Sequence, residues 1–228
     1  MNKLVIWGHH VDEYKEMFDL TDTDLQGKIL EFGCGPSAIN AELTGKAKQC
    51  VSCDPLFSLD MDTLNSKVAL IFADMLNKVT EEKEKFDFSR YENNLEELVE
   101  KRRSGLSAFF ADYLRGKEEK RYIGITEIRL PFNDFTFDYA LSSHYLFAEL
   151  ENQDVAFHAQ AIQELARVAK EVRIFPLIDR HGQPSPLLGP VLLELQQHNF
   201  GVEVRSVNYH LQPSGNAMLR VWAQECPV

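Results

Sequence analysis

Cysteine, long apolar runs and basic clusters are all scarce in this chain, and each scarcity removes a class of function. Four of its 228 residues are cysteine: Cys34, Cys50, Cys53 and Cys226. That is too few for a disulfide scaffold, and a chain of this length can build a core without one. Cys50 and Cys53 have a CxxC spacing that could suggest metal or redox chemistry. QCVSCD reads as a strand, however, and residues three apart on a strand face opposite sides, so buried free thiols are expected. No stretch approaches the ~20 apolar residues of a membrane span, and MNKLVIWGHH does not look like a signal peptide. A soluble, cytoplasmic protein is the expectation. The 24 lysines and arginines face 35 acids, for a net charge of −11. No run of five or six basic residues interrupts that balance. Nucleic acid is a poor partner for such a surface, because its binding relies on neutralising phosphates, whereas a cationic cofactor or substrate would be attracted. Internal repeats, low-complexity segments and metal-ligand spacings of carboxylate and histidine are also missing.

What is present is an alternation of strand and helix patterns. Residues 10–19 read as a short helix with Val11, Tyr14, Met17 and Phe18 on one face. KILEF (28–32) is a strand, Ser37 can cap a helix over 37–45, and 49–53 is a second strand ending at Asp54-Pro55. From 58 to 120 the character changes to charged, leucine-spaced sequence, with helices over about 60–78 and 92–116. The alternation resumes with strands at 122–126, 137–142 and 171–176 and helices at 154–169 and 186–198. VEVRSVNYH and AMLRVWA then form two strands joined by LQPSGN, whose proline and glycine mark a hairpin. The sum is one α/β unit over 1–228: a doubly wound sheet with an antiparallel edge, an N-terminal helical segment (1–25) and a helical insertion (58–120).

In such a sheet a ligand sits beyond the carboxyl ends of the strands, at the switch point. ILEFGCGPSA delivers its loop there, and Gly33 and Gly35 let the backbone approach a ligand closely. Asp54, nineteen residues past Gly35 at the end of the second strand, can accept ribose hydroxyls or, more simply, cap the turn ahead of Pro55. A nicotinamide dinucleotide would want a third glycine where the sequence reads Pro36-Ser37-Ala38. Glu31, just before the loop, suits a cation better than a phosphate.

ILEFGCGPSAIN, VSCDP and LPFNDFTFDYALSSHYLF together resemble the successive motifs of class I S-adenosylmethionine-dependent methyltransferases. WGHHVDEYKEMF and RVAKEVRIFPL resemble a little-described bacterial branch of them. The resemblance implies a Rossmann-like sheet of seven strands in the order 3-2-1-4-5-7-6, with strand seven antiparallel. It also implies S-adenosylmethionine as cofactor. It puts Glu31, Gly33, Cys34, Gly35 and Pro36 around the methionine moiety, Asp54 on the ribose, and Pro55 and Leu56 against adenine. Thr126 or Glu127 would hold the adenine amino group, and Ser142 and Ser143 would line the pocket. Methyl transfer is an in-line displacement that needs alignment more than covalent catalysis.

The acceptor is less legible. His144 is the candidate acid/base, with plain hydrogen bonding to backbone as its alternative. His9 and His10 stand before a helix that could fold over the cofactor with Tyr14 inward. The insertion carries stripes, Leu64, Val68, Ile71 and Phe72 on one helix and Leu95, Leu98, Leu106, Phe109, Phe110 and Leu114 on the other, that require burial. Packed over the sheet's ligand end they would close a pocket for a small-molecule acceptor. The alternatives are an outer-face or dimer role for these helices, a protein that binds the cofactor without turnover, and a nicotinamide-dependent oxidoreductase.

Overall fold

The apolar runs become seven strands of one sheet: β1 (Ile29–Phe32), β2 (Cys50–Asp54), β3 (Tyr122–Gly124), β4 (Phe137–Ser143), β5 (Ala169–Phe175), β6 (Phe200–Ser206) and β7 (Ala217–Ala223). The structure, a computed structural model, describes residues 8–92, 94–147, 153–179 and 181–223; Trp7 and Cys226 lie outside them. The sheet order is β3-β2-β1-β4-β5-β7-β6, as expected. β3 through β5 are parallel, and β7 runs antiparallel to both β5 and β6. The carboxyl end of β6 therefore lies on the same edge as those of β1 to β5.

Strand periodicity sorts the core onto two faces. Leu30, Phe32 and Cys53 join one apolar cluster, under the helices α5 (Val155–Val168) and α6 (Leu188–Gln197). Ile29, Cys50 and Leu141 join the other, under α1 (Val11–Met17) and α2 (Ile39–Gly45). Cys50 and Cys53 thus fall on opposite faces, and Cys34, Cys50 and Cys53 are free and buried. Two local expectations shift. α2 starts at Ile39 with Ala38 as its uncapped N-terminal residue, because the Ser37 hydroxyl donates elsewhere. β6 starts earlier, at Phe200, and ends before VNYH, so 207–216 is a loop.

The insertion is two long helices, α3 (Met61–Glu81) and α4 (Leu95–Glu118), capped by Asp60 on the Thr63 amide and Asn94 on the Glu96 amide. Such caps satisfy amides that would otherwise lack a partner in the first turn. At one end Leu64, Val68, Leu106, Phe109 and Tyr113 pack with Phe57 and Tyr122, beside β3. At the other, Met75, Val79, Tyr91 and Leu98 pack with Leu211 of the β6–β7 loop. Asp87 N–H donates to the Leu211 carbonyl at 2.8 Å, which ties that end down. The insertion thus reaches from the β3 side to the β6 side of the carboxyl edge. Leu114 departs from the expected stripe: it is 60% exposed, and its place on the buried face goes to Tyr113. Among the described residues no helix is long and apolar enough to cross a membrane.

Candidate functional site

β1 ends at Phe32 and the chain turns at Gly33 and Gly35, whose φ values of +67° and +63° lie in the left-handed region that glycine adopts without strain. Asp54, last residue of β2, faces this loop. Its Oδ2 accepts the Gly35 N–H at 2.8 Å and its Oδ1 accepts the Leu56 N–H at 2.8 Å. The side chain does cap the turn after Pro55, and in the same posture it fixes the glycine loop. Beside it, a cavity of about 330 Å³ opens between the ends of β1, β2 and β3. Phe32, Pro55, Ile125, Ile128, Tyr145 and Phe157 give it apolar walls, and Thr126 and Glu127 stand on its rim.

Other expected residues are buried and engaged with protein groups. Glu31 is 1% exposed and accepts from Tyr14 Oη and Ser37 Oγ at 2.9 Å each and from Ser52 Oγ at 2.5 Å. Burial raises its pKa against the pull of those three hydroxyls. Glu31 and Tyr14 therefore brace the loop from beneath. Cys34 Sγ points between β1 and β4, within 3.5 Å of the Phe32 and Leu141 carbonyls, and burial raises its pKa. The Leu56 side chain packs with the insertion's apolar cluster, while Pro55 faces the cavity. Pro36 accepts the Gly8 N–H at 2.9 Å through its carbonyl, so the N-terminal segment lies along the loop.

At the end of β4, Ser142 Oγ is buried with no hydrogen-bond partner among the described residues, and Ser143 Oγ lies 2.7 Å from His144 Nδ1. His144 has a φ of 55° and donates its N–H to the Phe175 carbonyl at 2.7 Å. Its ring stacks on His9 with centroids 5.0 Å apart. His9 in turn belongs to a buried network that the sequence reading missed. The Arg102 guanidinium, wholly buried, donates to both Glu13 oxygens, to Tyr91 Oη at 2.8 Å, and to His9 Nδ1 at 2.9 Å. Tyr91 Oη also meets Tyr209 Oη at 2.9 Å. Burial, the largest single effect, would raise the Glu13 carboxyl, but the Arg102 charge and the contacts with His9 and Arg102 together hold the group well below the usual range. The network ties α1, α4 and the β6–β7 loop together beside His144. One signal for it was available, since Arg102 lies on the helical stripe of Leu98, Leu106 and Phe109, where a solvated charge does not belong.

No family model matches the chain. It is 28% identical over 216 residues, 94% of each chain, to an uncharacterized protein of Methanocaldococcus jannaschii. Among solved structures it is similar to a SAM-dependent methyltransferase of Aquifex aeolicus, at 17% identity and a TM-score of 0.43 over 92% of each chain. It is also similar to the bifunctional kinase-methyltransferase WbdD, at 13% identity and a TM-score of 0.50 over 96% of this chain and 40% of that one. With the strand order, the chain has the class I S-adenosylmethionine-dependent methyltransferase fold.

Proposed function

We propose that this protein is an S-adenosylmethionine-dependent methyltransferase acting on a small-molecule acceptor. The observation that carries the reading is Asp54: an acid at the end of β2, braced by the Gly35 and Leu56 amides, beside an apolar cavity of about 330 Å³. That volume, at the small end of ligand pockets, suits an adenosine group, with Asp54 placed for ribose hydroxyls and Thr126 and Glu127 for polar atoms of the base. Gly33, Gly35 and Pro36 would follow the amino-acid half. The group would supply a methyl on a positively charged sulfur. The protein's part is then orientation and exclusion of water, for which the insertion over the carboxyl edge is placed as a cover. His144, stacked on His9 at the end of β4, is proposed to orient the acceptor or take its proton.

Calorimetry with S-adenosylhomocysteine tests the assignment. Asp54→Ala is expected to lose roughly 1.5–3 kcal/mol of binding, the scale of hydrogen bonds to a charged group. Because Asp54 also braces the loop, a thermal melt must accompany the titration. Unchanged affinity would sink the ribose role, and loss of affinity in step with loss of fold would reassign it to bracing. In the same assay His144→Ala should bind normally while turnover with an identified acceptor falls; equal losses would make it a pocket wall.

A further inference from the structure

Gly33 has the bare Cα that a close approach requires, and what approaches it is Tyr145. A Cβ built on Gly33 would lie 2.3 Å from Tyr145 Cγ, 2.4 Å from its Cδ1 and 2.9 Å from its Cβ, so the side chain, the ring foremost, fills the space directly against the glycine. The same ring meets Phe32 edge-on, with centroids 5.6 Å apart, and forms one wall of the adenosine-sized cavity. It stands between that cavity and the glycine loop. On the cofactor reading proposed above, which this inference rests on, an intact S-adenosyl ligand must extend from the cavity along Gly33 to Gly35. The adenosine half has room, and the amino-acid half meets the phenol ring.

The local backbone says which part can give way. His144 and Phe147 both hold left-handed φ values, 55° and 63°, a strained state for residues with a Cβ that surrounding structure must enforce. The His144 N–H is anchored on the Phe175 carbonyl at 2.7 Å, and the Phe147 N–H on His158 Nε2 at 2.9 Å. Leu146, between them, is fully buried. The turn is pinned on both sides of Tyr145, whose own side chain is only half-buried. Rotation about its side-chain torsions, between staggered wells, is the movement left.

We propose that Tyr145 is the specificity gate of the cofactor pocket. With the ring on Gly33 the pocket takes adenosine-sized ligands; with the ring turned away it takes the amino-acid half as well. A pocket whose competent state is only partly populated binds with apparent affinity reduced by that fraction, and a substitution that removes the gate restores it.

The test compares adenosine with S-adenosylhomocysteine on the full chain by calorimetry, for wild type, Tyr145→Ala and Tyr145→Phe. Tyr145→Ala is expected to tighten S-adenosylhomocysteine by about tenfold while changing adenosine by less than about twofold. Tyr145→Phe keeps the ring and loses only the hydroxyl's hydrogen bond with Gln153, so it should lie far closer to wild type than Tyr145→Ala. Should Tyr145→Ala fail to fold, Tyr145→Val carries the same expectation. Equal weakening of both ligands would make the ring a binding wall, and unchanged S-adenosylhomocysteine affinity would show that it blocks nothing; either overturns the gate. Binding of neither ligand by any of the proteins would defeat the cofactor reading itself, and the gate with it.

Discussion

His9 is held by two neighbours of opposite charge, and which one prevails sets its chemistry. An arginine can only donate, so the Arg102 contact at 2.9 Å makes His9 Nδ1 an acceptor and leaves the ring proton on Nε2. Burial, then the Arg102 charge, lowers its pKa from 6.5 to about 4, against the opposing pull of Glu13. The folded state thus binds fewer protons than the unfolded state between those values. Stability from this group is fully present above about 6.5 and is lost as pH falls toward 4. A shift of that size is worth about 3 kcal/mol as an upper bound. His9→Asn keeps an acceptor for Arg102 but cannot titrate. Urea denaturation from pH 7 to pH 4.5 should therefore show a shallower acid loss in His9→Asn than in wild type. The raised Glu31 carboxyl acts in the opposite sense and is common to the two proteins. The depressed Glu13 acts in the same sense and is held down partly by His9, so its change in His9→Asn adds to the expected difference. Identical slopes would mean that His9 takes up its proton without cost.

At the scale of one element, α4 shows what helical periodicity can and cannot give. Its buried face runs Leu98, Arg102, Gly105, Leu106, Phe109, Asp112, Tyr113 and Gly116. Phe109 is fully buried while Leu114 is 60% exposed, so their substitutions separate cleanly. Phe109→Ala should cost about 3–5 kcal/mol and Leu114→Ala less than about 0.5 kcal/mol in chemical denaturation. Comparable costs would rotate the helix. From sequence the helix and most of its stripe were legible, because apolar spacing reports burial. Leu114 was misplaced because a stripe of leucines and phenylalanines cannot say that Tyr113 takes the inner position. Arg102 and Asp112 were passed over because a charge is buried only when partners from elsewhere meet it, here Glu13 for one and Arg121 for the other. Gly105 belongs to the same class: an added Cβ would lie 2.1 Å from the Gly8 carbonyl oxygen, a contact between segments nearly a hundred residues apart. The same logic divides the candidate site. Asp54 was readable from the end of its strand, while Pro55, Thr126 and Glu127 came from the family resemblance. Tyr145 was not readable, since nothing local says that its ring lies on Gly33.

Over the whole molecule, the sheet order alone assigns the ligand edge, and the insertion bridges it. It leaves the sheet after Asp54, packs against Phe57 and Tyr122 at the β3 side, and reaches Tyr209 and Leu211 on the β6 side. Between these ends Arg102 donates to the Gly8 carbonyl at 3.1 Å, so the N-terminal segment lies between α4 and the glycine loop. Two apolar ends and one buried ion pair attach the insertion at several points. On the proposed reading, in which it covers the ligand, binding beneath it should damp local opening along its length. Hydrogen exchange with and without S-adenosylhomocysteine reads this directly. Protection is expected at residues 33–38 and 54–58, where the proposed ligand contacts lie, and at 98–106 of α4, which reaches the glycine loop through Gly8 and His9. A core effect alone would slow exchange everywhere in proportion to the gain in stability, so the comparison must be made against α6, remote from the edge. If the glycine loop is protected while α4 changes no more than α6, the insertion is an attached ornament and not a cover, and the preference for a small acceptor loses its structural support.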